Sequence, residues 1–497
     1  MPKSDTDVIV VGAGPTGLTL ATELRLHGAR ALVLDRLLHP REEGKAGGFG
    51  GRICTLLRYR GEWERCTAAS GQPQPAPRFP FGGLHVDLTQ LADPPMEALL
   101  LPQPRMEAVF EERAVELGAD VRRGHEVIGL EQDDDGVAVD VRGPDGEYRL
   151  TARYVVGCDG VRSPVRRMAG IAFPGVTYPE VNRLGSFAMP DSITRRDDGG
   201  FDVPGLGVLP FGYTQTERGV FAISSYGPDT GAFGVYTAED EDRTFDDDEP
   251  LTVDEFAASI RRVLGGDVPL GEPRRLTRFT YHARHVETYR AGTVFVAGDA
   301  AHQFPSGGVA VTAGMLDVVN LAWKLAGAIA GWAPDGLLDT YHAERHYAGA
   351  RTLLHTQAQL ALRRGLDEPA NALRAVFAEL LADESAARRV GAMIAGADIS
   401  YPMPDAHPLA GVFAPELEVD GRRVCDVVQT ARPLLLDFAG GLDVAGWDDR
   451  VDVRVEPAVR RPADALLIRP DGHVAWAGDG AADGLPEALA HWFGPPT

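Results

Sequence analysis

Three short glycine-and-acid segments, far apart in the chain, carry residue types suited to gripping a dinucleotide. They are Gly12-Ala13-Gly14-Pro15-Thr16-Gly17, Cys158-Asp159-Gly160 and Ala297-Gly298-Asp299-Ala300-Ala301-His302. In the first, Gly12 permits a tight turn, Gly14 lets backbone approach a pyrophosphate, and Gly17 lets a helix sit close on the preceding strand. The free N–H groups at that helix start, around Pro15 and Thr16, face the phosphates with the positive end of the dipole. Asp35-Arg36 ends a second apolar run, ~20 residues past the glycines, where a carboxylate suits a ribose hydroxyl pair and repels a 2′-phosphate. The first site alone does not separate NAD from FAD. The other two do. Asp299 is placed to accept hydrogen bonds from a ribityl chain. The N–H groups from Gly307 to Thr312, at the start of an apolar helix from about Ala313, face a flavin pyrimidine carbonyl. The expected cofactor is one FAD held at three places.

The elements that must position these groups follow from hydrophobic pattern. Val8–Val11, Ala31–Leu34, Tyr154–Gly157 and Thr293–Val296 are short apolar runs, the mark of parallel strands buried on both faces. Leu18, Leu20, Ala21 and Leu24 fall at helical spacing up to His27-Gly28. The fold class is therefore α/β, with a Rossmann-like FAD-binding domain. Asp133–Gly136 and Gly143–Gly146 read as hairpin turns, with Val137, Val139 and Val141 marking a strand between them. From about 176 to 275 the helical pattern is weak and Gly207–Phe211 and Gly219–Ile223 read as paired strands, a candidate substrate sheet. Glu239 to Glu249 is an acidic run expected as a solvated loop. Leu338 to Arg364 is helical, and a tail from about 400 mixes strand and helix. The resulting division is 1–78, 103–175 and 277–399 for the FAD-binding domain, 79–102 and 176–276 for the substrate domain, and 400–497 for the C-terminal domain.

Composition excludes several partners. Of 497 residues, 49 are Lys or Arg and 72 Asp or Glu, a net charge of −23. Such a surface repels nucleic acid and acidic membranes. Cys54, Cys66, Cys158 and Cys425 have no metal-ligand spacing, so no metal is expected, and they read as reduced thiols of a cytoplasmic protein. No signal peptide precedes the first strand, and no apolar run is expected to span a bilayer. Cys425 is the sole cysteine of the tail, so dithiol chemistry is excluded there. No Gly-x-Ser-x-Gly elbow occurs, which argues against a Ser-His-Asp hydrolase.

The three motifs together resemble those of the group A flavoprotein monooxygenases, whose fold is that of para-hydroxybenzoate hydroxylase. Gly44–Arg52 resembles the loop after the second strand in the aromatic polyketide hydroxylases, with Lys45 where the family usually has Arg, and Arg52 at the family's Arg. Leu101–Glu107 resembles the segment whose Gln, here Gln103, contacts FAD. Arg469–Trp476 resembles the tail of the members that carry a thioredoxin-like third domain. The resemblance covers nearly the whole chain. It implies a flavin hydroperoxide that hydroxylates a polycyclic aromatic polyketide with molecular oxygen, after reduction by transiently docked NADPH or NADH. A base or cation beside the substrate hydroxyl helps, because phenolate is the better nucleophile. The candidates are Arg52, Tyr281, His282, His85 and Tyr213. Phe79, Phe81, Leu84, His85, Phe211 and Tyr213 are the expected substrate lining. Pro305, Gly307, Gly308 and Val309, with Gly160 and Gly298, complete the expected cofactor contacts. One departure stands out: four residues, Gln303 to Ser306, replace the family's usual five, and Val309-Ala310-Val311-Thr312 replaces Gln-Gly-Leu-Asn. Ala310 adds a side chain near the ring, while Thr312 could cap the helix. Baeyer–Villiger insertion or oxidative rearrangement is the second reading, and a redox-inactive binding protein the third. A homodimer is left open.

Overall fold

The computed structural model describes residues 4–497 except 43, 45, 71–72, 76–77, 90, 92–93, 134–135, 211, 226–230, 244, 246–248, 306–307, 406, 420, 456–460 and 481–482; at 73–75, 78, 80, 225 and 419 only backbone is described. Lys45, Phe211, Gly307 and the tip of the Asp133–Gly136 turn therefore lie outside the described residues.

The first sheet has five parallel strands in the order Val294–Val296, Gly146–Gly157, Thr6–Val11, Ala31–Asp35 and Asp120–Arg123. Their apolar residues are buried on both faces, as the runs required: Val8, Ile9, Val10, Val33 and Leu34 are all fully covered. An antiparallel pair, Gly136–Gly143 with Glu126–Asp133, extends from the strand Gly146–Gly157, and the turn at Gly143–Gly146 closes as expected. The helix Pro15–Leu26 starts directly beyond the first strand and ends ahead of Gly28, whose φ of 83° is left-handed.

The second sheet has six antiparallel-paired strands in the order Gly212–Thr216, Gly219–Ser225, Ala232–Asp240, Gly175–Ala188, Pro273–His285 and His302–Gln303. Two expectations are corrected here. Gly207–Leu209 pairs with Phe201–Val203, and Gly219–Ser225 pairs with Gly212–Thr216, so the two runs are not partners. Glu239 is buried in a strand rather than solvated, because Arg183, Arg262 and the Ser259 hydroxyl all converge on its carboxylate. The helix Val253–Leu264, unread in the sequence, covers this side of the sheet. Its signals were present: the Thr252 side chain accepts the Glu255 N–H, and Gly265 ends it with φ 78°.

The tail forms a four-stranded sheet, Asp452–Val455, Leu434–Asp437, Ala465–Ile468 and Val474–Gly478, with the helix Leu485–Phe493 against it. It shares a core with the rest of the chain. Trp323 of the helix Ala310–Ala330 is buried among Trp476, Trp492 and Phe493. This core helix is long and apolar enough to cross a bilayer by length and composition, contrary to expectation. It is instead the buried axis of the molecule and carries covered Asp317, Asn320 and Lys324. All four cysteines are free, and burial pushes the Cys425 thiol up to about 12.

Candidate active site

The dinucleotide end is built from backbone against backbone. A Cβ on Gly12, at φ 107°, would lie 2.4 Å from the Cys158 carbonyl oxygen, and one on Gly17 would lie 1.9 Å from the Gly12 carbonyl oxygen. No larger residue fits either place, so these glycines fix how strand, helix and the Cys158-Asp159-Gly160 turn meet. Gly14 differs: nothing lies within 4 Å of its would-be Cβ, and Gly160 is equally open. The backbone is thus bare where a pyrophosphate must approach, and the residues fit FAD. Pro15 is the first helical residue. Thr16 Oγ1 lies within 2.7 Å of a would-be Cβ on Gly298 and 2.5 Å of one on Gly314, so it wedges the Gly298-Asp299 turn against the core helix. Asp299 is exposed beside that turn.

Two expected cofactor contacts also carry structural duties. Asp35 accepts the N–H groups of Ala13 (2.7 Å) and Leu37 (2.8 Å), clamping the glycine loop to the end of its strand; Arg36 is exposed next to it. Gln103 opens its helix, donates to Glu107 (2.8 Å) and accepts the Ala46 N–H (3.3 Å). The loop at Gly44 is tied across to the second sheet by Arg275, which donates to the Gly44 carbonyl at 2.7 Å. Asp159 sits in its turn and accepts the Val165 N–H at 3.1 Å; burial raises its carboxyl above the ordinary value.

A buried group absent from the sequence reading underlies the Gly298 turn. Asp317 of the core helix accepts the Gly298 N–H (3.0 Å), pairs with His302 Nε2 (2.9 Å) and with Arg345 Nε (2.7 Å). Burial would raise this carboxyl, but Arg345 and His302 hold it below the usual range. An acid inside an apolar helical run was the available signal, since a buried charge demands partners.

The core helix starts at Ala310, three residues before the expected Ala313, with Val309 at the N-cap and no side-chain cap. Thr312 therefore does not cap it. Its hydroxyl instead bridges both backbone groups of Gly50, at 3.3 Å from the N–H and 3.2 Å from the carbonyl. Pro305 and Val309 are buried and Gly308 is exposed with φ 92°. The Ala310 methyl packs with Phe304, Val309 and Ala313.

On the second sheet, side chains alternate between faces, and this sorts the catalytic candidates. One face of the strand Pro273–His285 bears Arg275, Phe279 and Tyr281 and looks toward the Gly44 loop and the long helix Asp339–Arg364. Tyr281 lies there with its ring 5.3 Å from the Arg363 guanidinium carbon. His282 is on the opposite face, where its ring nitrogens meet the hydroxyls of Thr177 (2.9 Å) and Thr280 (3.2 Å). Tyr281 and His282 cannot serve one reacting centre, and the catalytic expectation for His282 is corrected. Arg52 packs against the tail. Its guanidinium carbon lies 4.8 Å from the Phe413 ring centroid, and it lines a cavity of about 40 Å³ that none of the second-sheet residues borders.

Of the substrate candidates, Tyr213 joins Tyr281 on its face, partly exposed and edge-on to Tyr236 at 6.0 Å. His85 is exposed, its ring 3.9 Å from where a Cβ on Gly212 would be. Phe79 and Leu84 are half-buried in the same hairpin. Phe81 is corrected: it is 3% exposed and stacked on Phe377, a packing contact. Sequence reasoning missed the centre of this face. Arg363 donates to the Tyr236 hydroxyl (2.9 Å) and pairs with Glu180, and Tyr236 donates to Asn182 at 2.5 Å. Arg363 is over 80 residues from any of the three in sequence, so no local pattern joins them. The hydroxyls of Tyr281 and Tyr213 have no hydrogen-bond partner among the described residues. Burial pushes the Tyr281 phenol up to about 12.

Fold and site together define a flavin-dinucleotide enzyme. An FAD binding domain family matches residues 5–356, and an aromatic-ring hydroxylase C-terminal family matches residues 407–496. A rifampicin monooxygenase from Streptomyces venezuelae is 41% identical, covering 99% of each chain. A dialkyldecalin synthase from Streptomyces rugosporus is 38% identical, again over 99% of both. The solved anhydrotetracycline hydroxylase of Streptomyces rimosus superposes with a TM-score of 0.85 at 38% identity, covering 99% of this chain and all of the other. The chain belongs to the FAD-binding aromatic-ring hydroxylases and is an FAD-dependent monooxygenase.

Proposed function

We propose that the protein inserts one oxygen atom into a flat polycyclic aromatic polyketide, consuming NADPH or NADH and O2. Bound FAD supplies the redox chemistry, accepting a hydride from the nicotinamide and activating dioxygen. Gly14, Gly160 and Asp299, with Asp35 and Gln103, are the residues we assign to holding it. The observation that carries the substrate reading is the tyrosine face around Arg363. Tyr281 and Tyr213 present ring edges and unengaged hydroxyls, while the paired Arg363 fixes the face between them. A phenol at about 12 stays protonated at neutral pH, so Tyr281 donates a hydrogen bond to a ligand oxygen rather than acting as a base. The edge-on aromatic pairs Tyr213–Tyr236 and Phe279–Tyr281 suit a planar ring system. The relatives' printed names, rifampicin and anhydrotetracycline, point to the same ligand class. We retain the three-part division given above, with the sheet at 176–276 as the substrate domain, the tail as a thioredoxin-like domain, and a cytoplasmic location.

The redox-inactive reading is favoured by two features. Val309-Ala310-Val311-Thr312 departs from the family wording at the ring, and a 38% identical relative is named a synthase rather than a monooxygenase. The test is incubation with FAD, NADPH or NADH, O2 and a panel of aromatic polyketides, followed by mass spectrometry. Gain of one oxygen with substrate-stimulated nicotinamide oxidation is expected, and NMR of the product separates ring hydroxylation from Baeyer–Villiger insertion. Product of unchanged elemental composition without nicotinamide consumption would overturn the monooxygenase reading in favour of the redox-inactive one.

A further inference from the structure

We propose that Phe413, in the C-terminal tail, is a positioning residue for the start of the core helix, acting through Arg52. This rests on the reading that the turn Val309–Ala313 faces the flavin. The linkage is a short run of packed contacts. Phe413 is 5% exposed and held from both sides: its ring is edge-on to His473 at 5.6 Å, and a Cβ on Gly472 would lie 2.5 Å from it. The ring faces the Arg52 guanidinium at 4.8 Å, a cation–π contact largely removed from water. Arg52 begins the helix Arg52–Tyr59 directly after Gly51, whose φ of 75° and closeness to the Ala395 carbonyl (2.4 Å from a would-be Cβ) leave its backbone no latitude. One residue further back, Gly50 is clasped through both its N–H and its carbonyl by the Thr312 hydroxyl, inside the first turn of the core helix. The tail thus reaches the flavin-facing turn through three links: a cation–π contact, the backbone from Arg52 to Gly50, and the hydrogen bonds of Thr312 to Gly50.

The cavity of about 40 Å³ explains why the ring is needed. It is bordered by Arg52, Thr312, Ala313 and Phe413 together. Without the aromatic face, the guanidinium loses a packing surface beside that space, and the change passes to Gly50 and Thr312. Rearrangements of this kind carry coupling only when the intervening contacts are bistable, which a double-variant cycle measures.

The experiment titrates FAD into the full-length apoprotein, following flavin fluorescence, and records the visible spectrum and midpoint potential of the bound flavin. Phe413→Leu is expected to weaken FAD binding roughly three- to tenfold and to shift the spectrum, in line with loss of a desolvated cation–π contact. Phe413→Tyr, which keeps the ring, is expected to match wild type. Thr312→Val breaks the other end, and the double variant is expected to lose less than the product of the two single losses. Thermal unfolding of each apoprotein separates this from general destabilisation. A Phe413→Leu protein with wild-type affinity, spectrum and potential overturns the proposal, as does strict multiplicativity in the double variant. A wild type that takes up no FAD sinks the functional reading as well, so the two failures are distinguishable.

Discussion

The dinucleotide end and the tyrosine face of the second sheet are built on opposite principles. At the first, the acting groups are backbone, and side chains serve mainly by being absent: Gly12 and Gly17 permit contacts that any Cβ would block, while Gly14 stays bare for a ligand. At the second, the acting groups are side-chain ends, held by a buried guanidinium and its carboxylate. The first kind of site is rigid and intolerant. The second can be edited one hydroxyl at a time. A fold that serves varied substrates with one cofactor benefits from that division, because the cofactor grip is inseparable from folding and the ligand grip is not.

The sharpest way to break this contrast is Gly17→Val. The new side chain would start 1.9 Å from the Gly12 carbonyl oxygen, so strand and helix must part. We expect a loss of more than about 4 kcal/mol of stability and no FAD uptake. Urea unfolding with flavin-content measurement checks it; a stable protein that still binds FAD would mean the close packing is not obligatory. Next is Glu344→Gln at the seam with the tail. Glu344 accepts from Lys324 (2.7 Å) and from Arg469 through both nitrogens (2.6 and 2.8 Å), all buried. Removing its charge leaves Lys324 without a carboxylate and Arg469 with Asp471 alone, for an expected cost of about 3–5 kcal/mol with FAD contacts untouched. A Tm within a degree or two of wild type would show that the seam does not depend on this carboxylate.

Tyr281→Phe probes the other region. It removes a hydroxyl with no protein partner among the described residues, so unfolding should change by less than about 0.5 kcal/mol. Ligand affinity should fall about five- to tenfold, the net worth of one hydrogen bond. Unchanged affinity for every accepted polyketide removes Tyr281 from the site. A pH dependence is expected at His355, which borders the Arg52 cavity. Burial lowers its pKa to about 4, and its Nδ1 accepts from Gln359 at 3.2 Å. The unfolded chain binds the proton from about pH 6.5 downward, the folded chain only near 4. Stability is therefore present in full above about 6.5 and falls as pH drops through that window. His355→Gln should lose less stability than wild type between pH 7 and 5, read as the difference in urea midpoint. Equal losses would show that this imidazole is not held neutral.

How much was legible follows the same line. Strand runs, the glycine spacing and Asp35 are local patterns, and the parallel sheet came out as read. The start of the core helix was misplaced by three residues because no capping side chain marks Val309. Tyr281 and His282 were indistinguishable as neighbours in sequence, since only the register against Thr177 and the long helix tells which faces the cleft. Glu239 looked like surface in an acidic run, and its three partners come from two other elements, Arg183 from a neighbouring strand and Ser259 and Arg262 from the helix Val253–Leu264.

By itself the sequence determined that the chain forms an α/β dinucleotide fold, because backbone geometry at a glycine and burial of an apolar strand are properties of a few consecutive residues. Tertiary structure alone decided which polar groups meet. Arg363, Glu180 and Tyr236, or Arg52 and Phe413, are brought together across dozens to hundreds of residues by packing. Nothing in the types or spacing of such residues encodes the partner, since the partner is chosen by the shape of the core between them.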